Sequence, residues 1–546
     1  MDNNELLTIP FLAGKSFRKH GENKAMGFVG EEVITYNQLE VRIRSVMRLL
    51  EDYSVKPGDR VAILSTSMPN WGATYFAITF MGAVAVPVLP DFTQGEIANV
   101  LDHSGAKILL VSGNLTHKVA DYRSGFLETV ISIEDFRITS GSNGKSFQEG
   151  VMPVKKYTVA EDDLAVLIYT SGTTGKSKGV MLTHKNISWT ARQVRTIQYV
   201  VDTDVFLSIL PLSHTYEQTL GLVLPIFNGA MVWYLRKAPT PSVLLPALKE
   251  VRPTTMLTVP LIMEKVYFGK VAPTFHKNKI MAALYRTPLF RRLLNRVAGK
   301  KIYEAFGGRL RFFGIGGAKL NPTVERFLLD AKFPYAIGYG LTETSPLLAG
   351  TIVGTCRLGS TGPSMQGVTL KVHNPDPVTG EGEVWARGEN VMKGYYKEPA
   401  LTAEVITPDG WFRTGDLGVI DKDNFLSLKG RLKNMIVGSS GENIYPEEIE
   451  SVINDFSHVI ESLVVQKKGK LVAMVHVNLE ELQAKYVQMK KDFSEQAEQI
   501  INEYLEELQR YVNSKVNRYS QLQMVIYQPE PFQKTATLKI KRFLYY

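Results

Sequence analysis

The chain has 546 residues, of which 44% are hydrophobic and 21% are charged; this composition is ordinary for globular proteins and excludes a fibre or a disordered chain. Its single cysteine, Cys356, excludes an intramolecular disulfide and a cysteine-rich metal site. The net charge is +9, but the basic residues form no recognisable nucleic-acid-binding motif, so we expect no nucleic-acid partner.

The first residues carry acidic side chains where a secretion signal needs positive charge. The sequence has no stretch of about 20 uninterrupted apolar residues, the length that a membrane-spanning helix needs. The nearest stretch, residues 219–235, is broken by Pro225, Asn228 and Gly229, and it predicts buried strand and helix segments. We therefore expect a cytoplasmic protein.

The first part of the chain alternates helical patterns with short apolar runs. Residues 41–53 have a helical period. Apolar runs bounded by Gly, Pro or Asn predict buried strands at 60–66, 83–89, 106–112, 254–260 and 310–317. Strands that alternate with helices are typical of parallel sheets covered by helical layers. We therefore predict an α/β fold with a large N-terminal domain of mostly parallel, helix-layered β-sheets.

A basic segment lies between Lys265 and Arg311. It contains twelve Lys or Arg residues and one acid, Glu304, and its Leu, Phe and Arg residues interleave at helical spacing. Two interpretations stay open. The segment either makes peripheral contact with an anionic bilayer at the inner face of the cell membrane, or it forms a solvated basic helix.

The pattern changes towards the C-terminus. Short strand-like runs separated by Gly, Pro and Asp turn signals predict a compact, β-barrel-like subdomain, and they lie at 369–375, 382–388 and 425–431. From residue 441 helix and strand patterns mix again, and residues 479–516 have a charged helical pattern. We predict a small α+β domain there, which gives domains 1–432 and 433–546.

The stretch YTSGTTGKSKGV, residues 169–180, follows a buried apolar run and has the composition of a phosphate cradle. Its glycines let backbone N–H groups approach an anion, while its hydroxyls and lysines add donors and charge. It is not a Walker A loop, because Thr170 stands where that motif has its first Gly. The candidate phosphate-binding residues are Thr170, Ser171, Gly172, Thr173, Thr174, Gly175, Lys176 and Lys178.

Two further stretches carry carboxylates between small or hydroxylated residues. In YGLTETSP, residues 339–346, Glu343 stands beside hydroxyls, a combination that suits Mg²⁺ bridged to phosphates. In GWFRTGDLG, residues 410–418, Asp416 lies between glycines and could accept hydrogen bonds from a ribose diol.

Another two stretches suit a base and an acid. GIGGAKL, residues 314–320, offers a flat floor for a base, with Tyr339 as an aromatic cover. PLSHTYEQ, residues 211–218, carries His214. Taken alone, each of these stretches could be a turn, and a single His in an apolar context is usually a core residue.

Taken together and in this order, these stretches resemble the acyl-adenylate-forming (AMP-binding) superfamily, which includes acyl-CoA synthetases, nonribosomal-peptide adenylation domains and luciferases. The resemblance runs from near residue 30 to the C-terminus. Four segments are similar to the long-chain fatty acyl-CoA synthetases within it: PLSHTYEQ, the basic segment leading into AFGGRLRFFGIGGAKL, GENIYPEEIE and TATLKIKR.

The resemblance implies a role for each candidate residue. The loop at 169–180 would hold the β- and γ-phosphates of ATP, Thr342 would contact the α-phosphate and Glu343 would bind Mg²⁺. Asp416 would hold the ribose hydroxyls, with Arg431 beside it. The adenine would be framed by Gly316, Gly317, Ala318, Tyr339 and Gly340.

For the acid substrate, the resemblance implies that His214 lies where the acyl carboxylate enters. Lys539, within TATLKIKR, matches the lysine that bridges carboxylate and phosphate in the first half-reaction. Many relatives have Gly where this chain has Leu538, and the nearby Lys534 and Lys541 are alternatives to Lys539.

The resemblance also implies that the N-terminal domain binds ATP and the acyl group, and that the C-terminal domain is a mobile lid. Lys433 matches the hinge about which the lid rotates between half-reactions. The rotation would remove Lys539 and bring in a CoA-facing surface that includes Gly441.

The implied activity is that of an ATP-dependent long-chain fatty acid:CoA ligase. Acid and ATP would give acyl-AMP and pyrophosphate, and CoA would then give acyl-CoA and AMP. Fatty acid, ATP and CoA are the expected small-molecule partners, Mg²⁺ is the expected metal, and a homodimer stays open.

Several alternatives also stay open. The acyl group could pass to an acyl carrier protein, or the acid could be medium-chain or aryl. A P-loop phosphotransferase would instead release ADP, and a binding module would bind nucleotide without turnover.

Overall fold

The structure, a computed structural model, describes residues 5–123, 125–141, 144–171, 177–276, 279–438, 442–467, 469–480, 482, 497–535 and 539–546. These residues form a mixed α/β protein with two eight-stranded sheets, a five-stranded sheet, a three-stranded sheet and a two-stranded sheet.

The first eight-stranded sheet contains the predicted strands at 60–66, 83–89 and 106–112. Its strand order is β19 (Gly394–Tyr395), β9 (Ser177–Thr183), β8 (Leu164–Ser171), β4 (Val84–Val88), β3 (Arg60–Leu64), β5 (Ile108–Val111), β6 (Thr129–Ser132) and β7 (Ile138–Ser140). Strands β3, β4 and β5 pair in parallel. Their nearly continuous apolar runs are buried, as expected for parallel strands covered on both faces.

The second eight-stranded sheet has the order β15 (Leu347–Gly350), β14 (Tyr335–Gly340), β13 (Phe312–Ile315), β12 (Thr255–Thr258), β10 (Val205–Leu207), β11 (Met231–Tyr234), β1 (Lys24–Phe28) and β2 (Val33–Thr35). The six strands from β14 to β1 are parallel. Their carboxyl ends therefore meet along one edge, which we call the carboxyl edge. Ligands of parallel sheets bind at such edges.

Helices cover the two large sheets and also pack in the C-terminal part. They are α1 (Ile9–His20), α2 (Tyr36–Asp52), α3 (Pro69–Phe80), α4 (Gln94–Ser104), α5 (His184–Gln193), α6 (Leu224–Phe227), α7 (Pro241–Val251), α8 (Pro260–Val266), α9 (Ala272–His276), α10 (Lys279–Arg286), α11 (Pro288–Ala305), α12 (Pro322–Ala331), α13 (Pro399–Val405), α14 (Pro446–Asn454) and α15 (Ala497–Asn513). Of these, α14 and α15 belong to the C-terminal part, where they share a hydrophobic cluster with residues 459–477. Two π-helical segments lie at Glu217–Val223 and Tyr267–Val271. One hydrophobic cluster includes side chains of both large sheets, so these sheets share a core.

Local sequence signals explain several helix ends. In α4, Thr93 and Glu96 form a capping box in which each side chain bonds the other residue's backbone N–H. The same helix ends at Gly105, whose φ of 63° lies in the left-handed region that glycine adopts without a Cβ clash.

The C-terminal part contains smaller sheets. The five-stranded sheet is antiparallel, with the order β16 (Gly362–Pro363), β21 (Phe425–Arg431), β20 (Phe412–Ile420), β18 (Gly382–Arg387) and β17 (Thr369–His373). It corresponds to the predicted compact β unit. It is followed by β22 (Ile436–Val437) with β23 (Asn443–Ile444), and by β24 (Val459–Lys467), β25 (Lys470–Val477) and β26 (Met524–Tyr527).

The predicted α/β fold class is confirmed. Residues 219–235 form the end of a π-helix, α6 and β11, as the broken apolar pattern predicted. Among the described residues, no helix combines the length and apolar character needed to cross a membrane. The boundary after residue 432 stays a prediction, and most of the charged pattern at 479–516 before α15 lies outside the described residues.

Candidate active site

The predicted phosphate loop closes a β-hairpin. Strands β8 and β9 are antiparallel, with Thr170 opposite Lys178 and Ser171 opposite Ser177. A P-loop joins a strand to a helix, so this strand–loop–strand arrangement argues against a P-loop phosphotransferase. The loop residues Gly172, Thr173, Thr174, Gly175 and Lys176 lie outside the described residues.

Asp416 is buried and held by two partners. The Tyr339 hydroxyl donates to Asp416 Oδ2 at 2.6 Å, and Arg431 Nε lies 2.8 Å from Asp416 Oδ1. Burial raises the pKa of Asp416, while the Arg431 guanidinium and the Tyr339 hydroxyl oppose that rise. Strand register explains the ion pair, because Asp416 and Arg431 are direct partners on β20 and β21.

Glu343 lies on a 3₁₀ turn, Thr342–Thr344, directly after β14. Its Oε1 accepts a hydrogen bond from the Tyr395 hydroxyl at 2.9 Å. Lys178 Nζ lies 5.2 Å from the centre of the Tyr395 ring. Tyr395 belongs to β19, which pairs with β9. Lys178 and Glu343 therefore both contact the Tyr395 side chain.

Lys539 and Lys433 face these groups from the C-terminal part. Desolvation and the nearby Arg431 guanidinium lower the pKa of Lys539, while the carboxylates of Asp416 and Glu343 raise it. The pKa of Lys433 is also lowered, by burial and then by Arg431 and Lys178, against the same two carboxylates. Both side chains remain solvent accessible.

These contacts define a charged cluster. Its members are Lys178, Glu343, Asp416, Arg431, Lys433 and Lys539. The alternative Lys534 instead pairs with Glu461, Nζ to Oε1 2.6 Å. The structure therefore distinguishes Lys539 from Lys534 by what each lysine faces.

His214 is coupled to the same cluster through Lys539. Burial, and to a lesser extent the charge of Lys539, lower the pKa of His214 to about 4. The imidazole is therefore neutral at neutral pH. His214 lies just before the π-helix at the carboxyl edge, and its backbone O accepts from Gln218 N at 2.8 Å.

The predicted adenine floor follows β13 at the carboxyl edge. A Cβ added to Gly316 would lie 3.3 Å from the Tyr216 ring, and Gly317 has a φ of +85°. Both positions therefore favour glycine. Gly317 and Ala318 are exposed, as a surface that receives a base must be.

Gly340 ends β14 beside the turn that carries Thr342. A Cβ on Gly340 would lie 1.8 Å from the Pro346 carbonyl oxygen, so the chain can make this close approach only with glycine. Gly441 lies outside the described residues, and its predicted contact with CoA stays a prediction.

The charged cluster fits a nucleoside triphosphate with Mg²⁺. Four cations face two carboxylates, which leaves excess positive charge for phosphates. In the described parts of the chain, no group of three or more His, Cys, Asp or Glu side chains could hold a metal. Proteins usually bind Mg²⁺ through one or two carboxylates together with substrate phosphates, and Glu343 is a carboxylate of this cluster.

The sequence did not single out three residues of this region. Tyr395 lies 52 residues from its partner Glu343, and no local pattern connects them. Tyr216 and Glu217 are within PLSHTYEQ, in which the sequence predicts a role only for His214. An acidic residue inside an otherwise apolar helical run was the available signal for Glu217.

Glu217 is a buried acid on the π-helix. The residue is 1% exposed, its Oε2 has no hydrogen-bond partner, and burial raises its pKa to about 8. The folded protein therefore keeps this carboxyl protonated at pH values where the unfolded chain, with a pKa of 4.5, has released the proton.

We predict that Glu217→Gln stabilises the protein increasingly as pH rises. Glu217 favours the folded state less as pH rises from 4.5 to about 8, whereas Gln is neutral throughout. The difference in unfolding free energy between variant and wild type should grow over this window, on the order of 1.4 kcal/mol per pH unit, and the difference in melting temperature should grow with it. Glu304→Gln removes an exposed carboxylate as the control. A pH-independent difference would contradict the buried neutral acid.

The chain is similar to known AMP-binding enzymes and CoA ligases. A family model described as "AMP-binding enzyme" matches residues 15–396. The chain is 29% identical over 457 residues to the long-chain-fatty-acid–CoA ligase ACSBG2 of Gallus gallus, covering 76% of this chain and 59% of that protein. It is 28% identical over 490 residues to a methyl-dioxo-octahydroindenyl-propanoyl:CoA ligase of Rhodococcus jostii, covering 84% and 85%.

Solved structures share the fold. One is o-succinylbenzoate coenzyme A synthetase from Bacillus subtilis in complex with ATP and magnesium ion, with a TM-score of 0.76, 22% identity, and coverage of 97% of this chain and 98% of that chain. The chain spans only 59% of the length of the chicken relative.

The predicted resemblance is confirmed, since the family model spans most of the chain and long-chain fatty acid:CoA ligases are among its relatives. The chain belongs to the family of AMP-binding enzymes.

Proposed function

We propose that the protein is an ATP-dependent acid:CoA ligase whose acid is a long-chain fatty acid. The observation that supports this activity best is the charged cluster, in which cations from β9, β21 and the C-terminal part face Glu343 and Asp416. An anionic carboxylate and a triphosphate repel each other, so a site that joins them needs fixed positive charge.

In the first step, a carboxylate oxygen attacks the α-phosphorus of ATP. The new O–P bond replaces the bond from the α-phosphorus to the bridging oxygen, and pyrophosphate leaves. Asp416 accepts from the ribose hydroxyls, Thr342 contacts the α-phosphate, and Lys178 with the hairpin loop holds the leaving phosphates. Mg²⁺, held by Glu343, would neutralise phosphate charge.

Lys539 attracts the incoming carboxylate and bridges it to the α-phosphate. His214 lies near Lys539 and is neutral, so it can line the path of the acid without forming a fixed ion pair with it.

In the second step, the CoA thiolate attacks the acyl carbonyl carbon and AMP leaves with the bonding electron pair. This step needs room where Lys539 lies. We propose that the C-terminal part, 433–546, rotates about Lys433 and presents a surface that includes Gly441 to CoA.

The long-chain acid is supported by the names of the relatives with about 29% identity. The ligase from Rhodococcus jostii acts on a different acid, so medium-chain and aryl acids remain the alternatives for the substrate. Acyl carrier protein remains the alternative acceptor.

A product assay tests this proposal. The protein is incubated with ATP, Mg²⁺, an acid series from short to long chain with one aryl acid, and either CoA or acyl carrier protein. We expect AMP, pyrophosphate and a long-chain acyl-CoA. Release of ADP would overturn the ligase assignment, and preference for an aryl acid or for the carrier protein would overturn the corresponding part of the proposal. The cytoplasmic location and the homodimer stay predictions.

A further inference from the structure

Helix α11 is anchored by one face. Asn295, Gly299 and Ile302 are its buried residues. A Cβ added to Gly299 would lie 2.5 Å from Ala331 Cβ, so α11 and α12 approach closely at this glycine. Asn295 Nδ2 also donates to Asp330 Oδ2 at 3.1 Å. These contacts fix the rotation of α11 about its own axis.

The opposite face of α11 carries large apolar side chains in solvent. We call Leu289, Phe290, Leu293 and Val297 the outer stripe, and their exposed fractions are 74%, 45%, 58% and 54%. Residues four apart lie on one side of a helix, so the stripe is continuous over two turns. Ile280 of the neighbouring α10 is 76% exposed, and none of the α10 residues is buried.

Basic side chains surround the outer stripe. Those that are exposed on α10 and α11 are Lys279, Arg286, Arg292, Arg296, Lys300 and Lys301. The segment from Lys265 to Arg311 contains one acid, Glu304, and Asp330 of α12 pairs with Arg291 and lies 3.9 Å from Arg292. The surface therefore combines apolar protrusions with an excess of positive charge.

The chemistry of this surface selects one kind of occupant. A second copy of the chain would bring the same positive charge against it in a two-fold contact. Nucleic acid would satisfy the charge but would leave the four apolar side chains without an apolar partner. An anionic bilayer satisfies both, because its headgroups pair with Lys and Arg while its acyl boundary accepts Leu, Phe and Val.

We infer that the outer stripe and its surrounding basic residues form a peripheral binding surface for an anionic lipid bilayer. The inference does not depend on the proposed ligase activity. If both hold, the surface would bring the protein to the phase in which a long-chain acid resides.

The test is co-sedimentation of the full chain with phosphatidylcholine vesicles and with vesicles that also contain phosphatidylglycerol. We expect binding to the anionic vesicles that weakens as salt increases. Arg296→Gln and Lys300→Gln should each lower the partition coefficient about fivefold, since each basic residue near the surface contributes about 1 kcal/mol. The double variant Leu289→Ser/Leu293→Ser should lower it further.

Two matched controls keep the test specific. Val378→Ser changes an apolar side chain that is 92% exposed elsewhere, and Lys422→Gln removes an exposed charge outside the basic segment; neither should change binding. Thermal melting checks that every variant is folded. Equal binding to neutral vesicles, no binding to anionic vesicles, or a dimer that Leu289→Ser/Leu293→Ser dissociates would each overturn the inference. The product assay described above, run without vesicles, tests the ligase activity separately.

Discussion

Lys539→Ala should abolish AMP formation from palmitate and ATP while the protein stays folded. In the structure Lys539 faces Asp416 and Glu343, with the Arg431 guanidinium nearby. An alanine there removes the charge that would bridge the acid to the α-phosphate. Losing one such preorganised donor typically costs about 10²–10³-fold in rate, and here the repulsion between two anions adds to the loss.

The fold should survive because the backbone contacts of Lys539 do not need its side chain. Its carbonyl accepts from Thr535 N at 2.8 Å, and its N–H donates to Thr535 Oγ1 at 3.3 Å. Pyrophosphate exchange measures the first half-reaction alone, and circular dichroism checks the fold. Lys541→Ala is the matched control, two residues away, and should keep adenylation. Undiminished exchange in Lys539→Ala would refute the proposed role.

Lys433→Pro should spare adenylation and cripple thioester formation. Lys433 is in the 3₁₀ turn Leu432–Asn434, which directly follows β21. A hinge works through a few residues that change φ and ψ, whereas proline fixes its own φ and restricts the residue before it. The variant would therefore hold the C-terminal part in the orientation in which Lys539 faces Asp416 and Glu343.

The charge of Lys433 must be separated from its backbone freedom. Lys433→Ala removes the same charge from the charged cluster but leaves the backbone free, so it is the matched control. Pyrophosphate exchange should be similar in both variants, and acyl-CoA formation should fall at least about tenfold further in the proline variant. An equal loss in both assays for Lys433→Pro would contradict the hinge.

Sequence patterns predicted the layers of the fold because burial on both faces leaves a local signature. The run that became β3, Arg60–Leu64, is apolar apart from its first residue, and its bounding turn residues mark its ends. Short stretches of Gly, hydroxyl and charged residues also marked Glu343 and Asp416 as candidates for the site, whereas the role predicted for Lys539 came only from the resemblance to a known family.

Contacts between residues that are far apart in the chain could not be predicted from the sequence. The bond from Tyr395 to Glu343 depends on β19 adding to the edge of β9, and no spacing rule encodes that strand order. The basic segment was predicted as helical, but the outward face of α11 became definite only through its close packing on Ala331. These contacts depend on which strands and helices pack against each other in the folded chain, and a local sequence pattern does not determine that.

The Asp416 carboxylate is already fastened on both sides, by Tyr339 at one oxygen and Arg431 at the other. Each carboxylate oxygen has a second lone pair, so a ribose diol could be accepted without releasing either neighbour. The Asp416 side chain has then already lost its rotational freedom on folding, so less conformational entropy would be lost when the nucleotide binds.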